Sequence, residues 1–249
     1  MSIAFSNTTT KKGLIQFIER TLGFPDAYIS GDTTKMAQWT ADLNVALDKA
    51  IAIALKADGK WQFDDSNHTT YPILTGNLVD GQRDYSFTED SDGNLVLDIY
   101  RVFVRMSSTA PYYEIFPRDV QSEAEGEISG FIDGLNTEGR PQTYDKTSTG
   151  IFIDPIPNAD STAGLKVYVN REGSYFATSD TTKEPGFYAL YHEYLVLETC
   201  YRYARGNRLD VKEDLKRDLL EMKADIEEAY SRRSRDERTI MSPEPIFYE

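Results

Sequence analysis

The sequence predicts an α+β protein: a helical body drawn from both ends of the chain, a β-rich region inserted between them, and an extended C-terminal tail. Three observations predict it. Apolar residues recur every three or four positions before residue 60 and again after Pro185, the period of helices with a buried face. From Trp61 to Phe176 the pattern becomes short alternating runs of Val, Ile, Tyr and Phe between clusters of Pro, Gly, Asn and Asp. The final stretch, MSPEPIFYE, carries two prolines and no helical period. The expected boundaries are 1–60 for the N-terminal helices, 61–182 for the insert, 183–240 for a C-terminal helical pair and 241–249 for the tail.

Leu14, Ile15, Phe17, Ile18 and Leu22 predict a short amphipathic helix that Gly23 and Pro25 stop. Asp32 and Thr33 are N-cap candidates for the next helix. Met36, Trp39, Leu43, Leu47, Ala50 and Ala54 lie at its apolar positions, and Asp58-Gly59 ends it. Strands are expected near Tyr71–Leu74, Asp84–Phe87, Leu95–Met106, Tyr112–Ile115, Gln142–Asp145, Gly150–Ile153 and Leu165–Val169. Asp90, Asp92 and Gly93 form a turn between two of them. The stretch 121–138 is rich in Gly and acids and reads as an irregular loop. Pro185 suits a first helical turn. Phe187, Leu190, Tyr191, Tyr194, Leu197 and Tyr201 follow at helical steps, and Leu195, Val196 and Cys200 widen that helix's apolar face, which implies cover from several directions. Gly206-Asn207 reads as a break. Val211, Leu215, Leu219, Met222, Ile226 and Tyr230 then mark an amphipathic helix with a solvated acidic and basic face. The last two helices are expected to form an antiparallel hairpin.

The 249 residues are enough for one large domain or two small ones, and 40% hydrophobic with 27% charged residues is ordinary globular composition. The sequence predicts no membrane span, because no run of about 18 apolar residues occurs. It predicts no signal peptide either, because the basic pair near the N-terminus follows a polar stretch and precedes no apolar core. A formal charge of −14 argues against wrapping nucleic acid, since phosphate affinity comes from clustered Lys and Arg. Such a charge keeps a protein soluble, or lines a passage that duplex DNA traverses without sticking.

Catalytic signatures are missing. The single cysteine, Cys200, allows neither an internal disulfide nor a Cys-based zinc site. His192 and Cys200 lie about 12 Å apart along one helix at 1.5 Å per residue, too far to touch. His192-Glu193 starts like HExxH, but Val196 occupies the place of the second histidine, so His192 reads as a polar group in a helix interface. His68 reads as a loop residue. The turn at Asp90 lacks the spacing and terminal glutamate of a calcium loop, the latter position being Arg101. No phosphate-binding glycine motif occurs. The sequence therefore predicts no enzyme activity, no cofactor and no metal.

Two features suggest contact with a partner. Arg232, Arg233, Arg235 and Arg238 form the one basic cluster; it suits the negative end of the last helix, or an acidic partner surface or DNA backbone. Ile246, Phe247 and Tyr248 end a Pro-stiffened segment that docks on a partner, folds back on its own core or stays disordered.

One ordered series of pieces goes further. It comprises the helix through Leu43–Leu55, Ile99–Arg105 followed by Phe116-Pro117-Arg118-Asp119, then Gly139-Arg140-Pro141, Ile153–Pro157, and Pro185–Ala204. In that order the chain resembles the head-to-tail adaptor proteins of tailed bacteriophages. The resemblance implies a virion structural protein that forms a ring, typically twelvefold, beneath the portal protein. It implies docking through the helical part and the C-terminal end, with Arg232, Arg233, Arg235, Arg238, Ile246, Phe247 and Tyr248 as portal-binding residues. It further implies an extended DNA channel, a platform for the next tail or nozzle component, and a location at the head–tail junction after assembly in the host cytoplasm. The 121–138 loop is larger than a minimal adaptor has. A stopper or tail-completion protein is the neighbouring alternative, disfavoured by the two strong C-terminal helices. A carboxylate-dependent hydrolase is the alternative of a different class.

Overall fold

A computed structural model describes residues 2–58, 73–91, 93–118 and 137–233. The chain is α+β and divides into two compact units. One combines the N-terminal segment with everything from Tyr175 onward; the other is the β-rich insert ending at Ser174.

The helical unit holds four helices: α1 (Leu14–Thr21), α2 (Thr33–Asp58), α3 (Glu193–Asn207) and α4 (Lys212–Arg233). Gly23, at φ +70°, ends α1 in a conformation that suits a residue without Cβ. Asp32 caps α2 through its side chain, accepting from the amides of Thr34 (2.9 Å) and Lys35 (3.1 Å). Those amide hydrogen bonds also hold its carboxyl below the usual carboxylate range. Leu14, Ile15 and Ile18 of α1, Leu43, Leu47 and Ala50 of α2, Leu195, Cys200 and Ala204 of α3, and Leu215, Leu219, Ile226 and Tyr230 of α4 share one core. The buried polar groups of α1 tie down the segments around it. Gln16 binds the Asn7 amide and Ser6 hydroxyl, and Glu19 accepts from the amides of Ile29 and Ser30.

Three details differ from the sequence reading. Pro185 does not begin a helix: Gly186 sits at φ +83°, Ala189–Tyr191 make only a 3-10 turn, and α3 starts at Glu193. Nor does Gly206-Asn207 break α3. The helix runs through both residues, and Arg208 takes the left-handed capping conformation at φ 56°. Residues 175–182, assigned to the insert from sequence, belong to the helical unit. Phe176 is in its core, stacked on Phe5 at 4.9 Å, and Asn44 of α2 exchanges two hydrogen bonds with the Phe176 backbone.

The insert contains β1 (Ile73–Leu78), β2 (Asp84–Ser86), β3 (Val96–Val104), β4 (Tyr113–Pro117), β5 (Glu138–Gly139), β6 (Thr143–Lys146), β7 (Gly150–Asp154), β8 (Ile156–Pro157) and β9 (Ser161–Arg171). Seven of these form one mixed sheet in the order β1-β9-β3-β4-β6-β7-β2, with β4 and β6 its parallel pair; β5 and β8 pair separately. Strands β1 and β2 occupy opposite edges yet are joined by a short connection, so the sheet must curl until its edges meet. They meet at the Tyr85 hydroxyl, which accepts from the Val79 amide (3.1 Å) and donates to the Val79 carbonyl (3.3 Å).

Inside the curl lie Leu78, Tyr85, Ile99, Val102, Val104, Ile115, Tyr144, Ile151, Ile153, Leu165, Val167 and Val169. Alternation along β9 and β7 is the strand period of two. Ile99 and Val102 break that period, because the register of β3 on β9 shifts between Ile99 and Arg101 and both residues then face inward. Strand β1 runs through Gly76 and Asn77, beyond the Tyr71–Leu74 stretch expected from sequence. At Gly76 a side chain would meet the Phe87 ring at 3.6 Å, and Asn77 accepts the Ala163 amide opposite the irregularity in β1. The turn at Asp90 is structural: its carboxylate accepts from the Asn94 backbone and side-chain amides and pairs with Arg171, both partners almost fully buried.

Candidate functional site

The sequence points to the helical unit, and its chemistry begins with His192. This residue is fully buried just ahead of α3. Its Nδ1 accepts from the Ile3 amide (3.1 Å), so Nε2 carries the proton and donates to the Phe187 carbonyl (2.9 Å). Both ring nitrogens are engaged with backbone, and His192 thereby holds the N-terminal strap against the start of α3. Burial pushes its pKa below the usual histidine value, with the Glu184 carboxylate working the other way. Cys200, eight residues further along the chain in α3, is also fully buried, and desolvation pushes its thiol up to about 12. Neither residue is presented to solvent for chemistry. His68 lies outside the described residues.

What α2, α3 and α4 present together is a groove of about 440 Å³. Lys49, Ala52, Ile53 and Lys56 line it from α2, Tyr194 and Glu198 from α3, and Leu219, Leu220, Lys223 and Glu227 from α4. The helical periods explain the set. Ile53 and Leu219 belong to the core stripes and are almost buried, whereas Leu220, one position off its stripe, is 56% exposed. The charges along the groove are mostly matched. Glu198, deeply set, pairs with Lys49, and Glu227 lies 4.0 Å from Lys223. Lys56 has no hydrogen-bond or ion-pair partner among the described residues. Burial, and then the charge of Glu198, raise the Tyr194 hydroxyl's pKa, so Tyr194 is a neutral floor for the groove.

The residues singled out from sequence fall at and beyond the end of α4. Arg232 is in the last turn, exposed, and pairs with Glu228 one turn back. That pair is of the surface kind, typically about 0.2–1 kcal/mol. Arg233 is the last residue of α4. Arg235, Arg238, Ile246, Phe247 and Tyr248 lie outside the described residues, as does the 121–138 loop except for Thr137 and Glu138. The groove itself was not legible as a site. Its walls come from three helices far apart in sequence, and the one signal is the apolar pair Leu219-Leu220 on a helix whose stripe needs only the first. Among the described residues no cluster of His, Cys, Asp and Glu could hold a metal ion. Among them, too, no helix is long and apolar enough to cross a membrane.

No protein-family model matches the chain, and no curated protein matches its sequence.

Proposed function

We propose that this chain is a structural subunit of a tailed bacteriophage: a head-to-tail adaptor that assembles as a ring, typically twelvefold, under the portal protein. The observation that supports the reading is the order of the architecture. Helices from both chain ends build one unit, a curled β-unit is inserted between them, and the chain leaves α4 toward an Arg-rich stretch and a Pro-stiffened apolar tail. This is the order on which the resemblance to adaptors rests.

In this reading the protein has no catalytic turnover. Ile246, Phe247 and Tyr248 anchor in apolar portal pockets, because buried aromatic side chains commonly dominate interface energy. Pro243 and Pro245 keep the tail extended and lower its ordering cost. Arg232, Arg233, Arg235 and Arg238 meet acidic portal groups. At −14 per chain, the ring presents acidic side chains to its lumen, a surface that passing duplex DNA does not bind. The opposite end carries the next tail component.

The test is removal of residues 241–249. The truncated chain should keep its thermal stability and lose portal attachment. Normal attachment by a truncated chain of unchanged stability would show that another surface carries the docking.

A further inference from the structure

We propose that the groove between α2, α3 and α4 is the resting site of the chain's own C-terminal segment, residues 241–249, whenever that segment is not engaged elsewhere. The inference is independent of the phage reading and needs no partner.

Three observations carry it. The first is shape and polarity. The groove offers about 440 Å³ between walls that set apolar Ala52, Ile53, Leu219 and Leu220 among charged side chains, within the roughly 300–1,000 Å³ of clefts that enclose compact ligands. Leu220 stands 56% exposed at its edge, an apolar side chain available for cover. The segment's side chains suited to it are Ile246 and Phe247.

The second is charge. Within the groove Lys49 and Lys223 are matched by Glu198 and Glu227, and Lys56 is left without a partner among the described residues. Residues 241–249 contain Glu244 and Glu249 and no Lys or Arg. An acidic apolar segment therefore complements what the groove lacks.

The third is reach. Leu220 lies 13 residues before the end of α4 at Arg233, or about 20 Å back along the helix at 1.5 Å per residue. The chain from 234 to 245 spans up to about 40 Å when extended. The segment can thus double back on its own molecule. A tether of that length gives an effective concentration on the order of millimolar, about a thousandfold above a micromolar solution of free copies. That difference selects the chain's own tail over a neighbour's.

The experiment uses the full-length protein with Leu220 replaced by the photo-crosslinker p-benzoylphenylalanine, illuminated at micromolar concentration and mapped by mass spectrometry. The expected product is a monomer cross-linked to residues 244–249. Introducing Ile246→Asp together with Phe247→Asp should cut its yield roughly tenfold or more, given the apolar burial lost. Lys56→Glu should reduce it several-fold more at low salt than at high salt. Cross-links to residues 59–72 or elsewhere in the chain would overturn the proposal. So would no cross-link, a covalent dimer as the main product, or a yield indifferent to the tail substitutions. None of these outcomes involves portal binding, so they leave the adaptor reading to its own test.

Discussion

Replacing His192 by phenylalanine keeps an aromatic ring beside Phe187, which meets the imidazole edge-on at 5.2 Å, but removes both hydrogen bonds. The Phe187 carbonyl loses its hydrogen bond from the buried His192 ring, at a cost of about 1–3 kcal/mol. The Ile3 amide is only partly buried and can turn toward water, so its loss adds less. The expected total is about 2–4 kcal/mol at neutral pH. The pH dependence is more diagnostic. Above about pH 6.5 the histidine is neutral in both folded and unfolded chains, and its full contribution is present. Its folded pKa is depressed. As pH falls below about 6.5, the unfolded chain takes up a proton that the buried ring refuses, and stability declines by up to about 1.4 kcal/mol per pH unit until the folded pKa is reached. The phenylalanine variant has no such component. Urea unfolding followed by far-UV circular dichroism, near pH 7.5 and again near pH 5.5, should show the wild type's advantage shrinking on acidification. An advantage that stays constant or grows would refute the assignment of His192 as a buried neutral clasp.

Three further outcomes follow from the same structure. Gly150→Ala should destabilise the β-unit by about 1–3 kcal/mol, because the new Cβ would lie 2.0 Å from the Tyr85 carbonyl oxygen across the β2–β7 pairing; thermal melts of the variant read this. Arg171→Met should cost about 3–5 kcal/mol by removing the cationic partner of the buried Asp90 carboxylate, which keeps its hydrogen bonds from Asn94, whereas Asp90→Asn with Arg171→Met together should recover a good part of that loss in the same denaturation assay. Cys200 should resist alkylation in the native protein and react as soon as the helical unit opens, since its thiol is buried and its pKa is pushed up to about 12; rapid native labelling would contradict the packing of α3.

Much of the fold was legible because period and burial agree. The stripe Leu43, Leu47, Ala50, Ala54 of α2 and the stripe Leu215, Leu219, Ile226, Tyr230 of α4 are both in the core. Asp32 reads as a cap and acts as one. What was not legible depends on long-range contacts. Strand β1 continues past Leu74 through Gly76, where the Phe87 ring packs at ordinary contact distance, a pairing that no local pattern announces. The start of α3 is displaced from Pro185 to Glu193 by Gly186 and by the His192 clasp, which joins residues 189 apart in sequence. Two-residue strands such as β5 and β8 carry no period at all. The candidate site was less legible than the fold. The Arg-rich helix end was visible in sequence, and Arg232 does lie at the end of α4, already paired to Glu228. The groove depends on convergence of Lys56, Tyr194 and Leu220 from three helices, which no local pattern announces.

In the proposed function this chain works as one of many identical subunits in a ring on a portal. Native mass measurement of the purified chain alone and of its complex with the portal protein tests it most directly. A ring on the portal gives a complex carrying multiple copies, twelve in the typical case, even if the free chain is monomeric. A chain that fails to associate with portal, or that binds it as a single copy, is not a ring subunit of this kind.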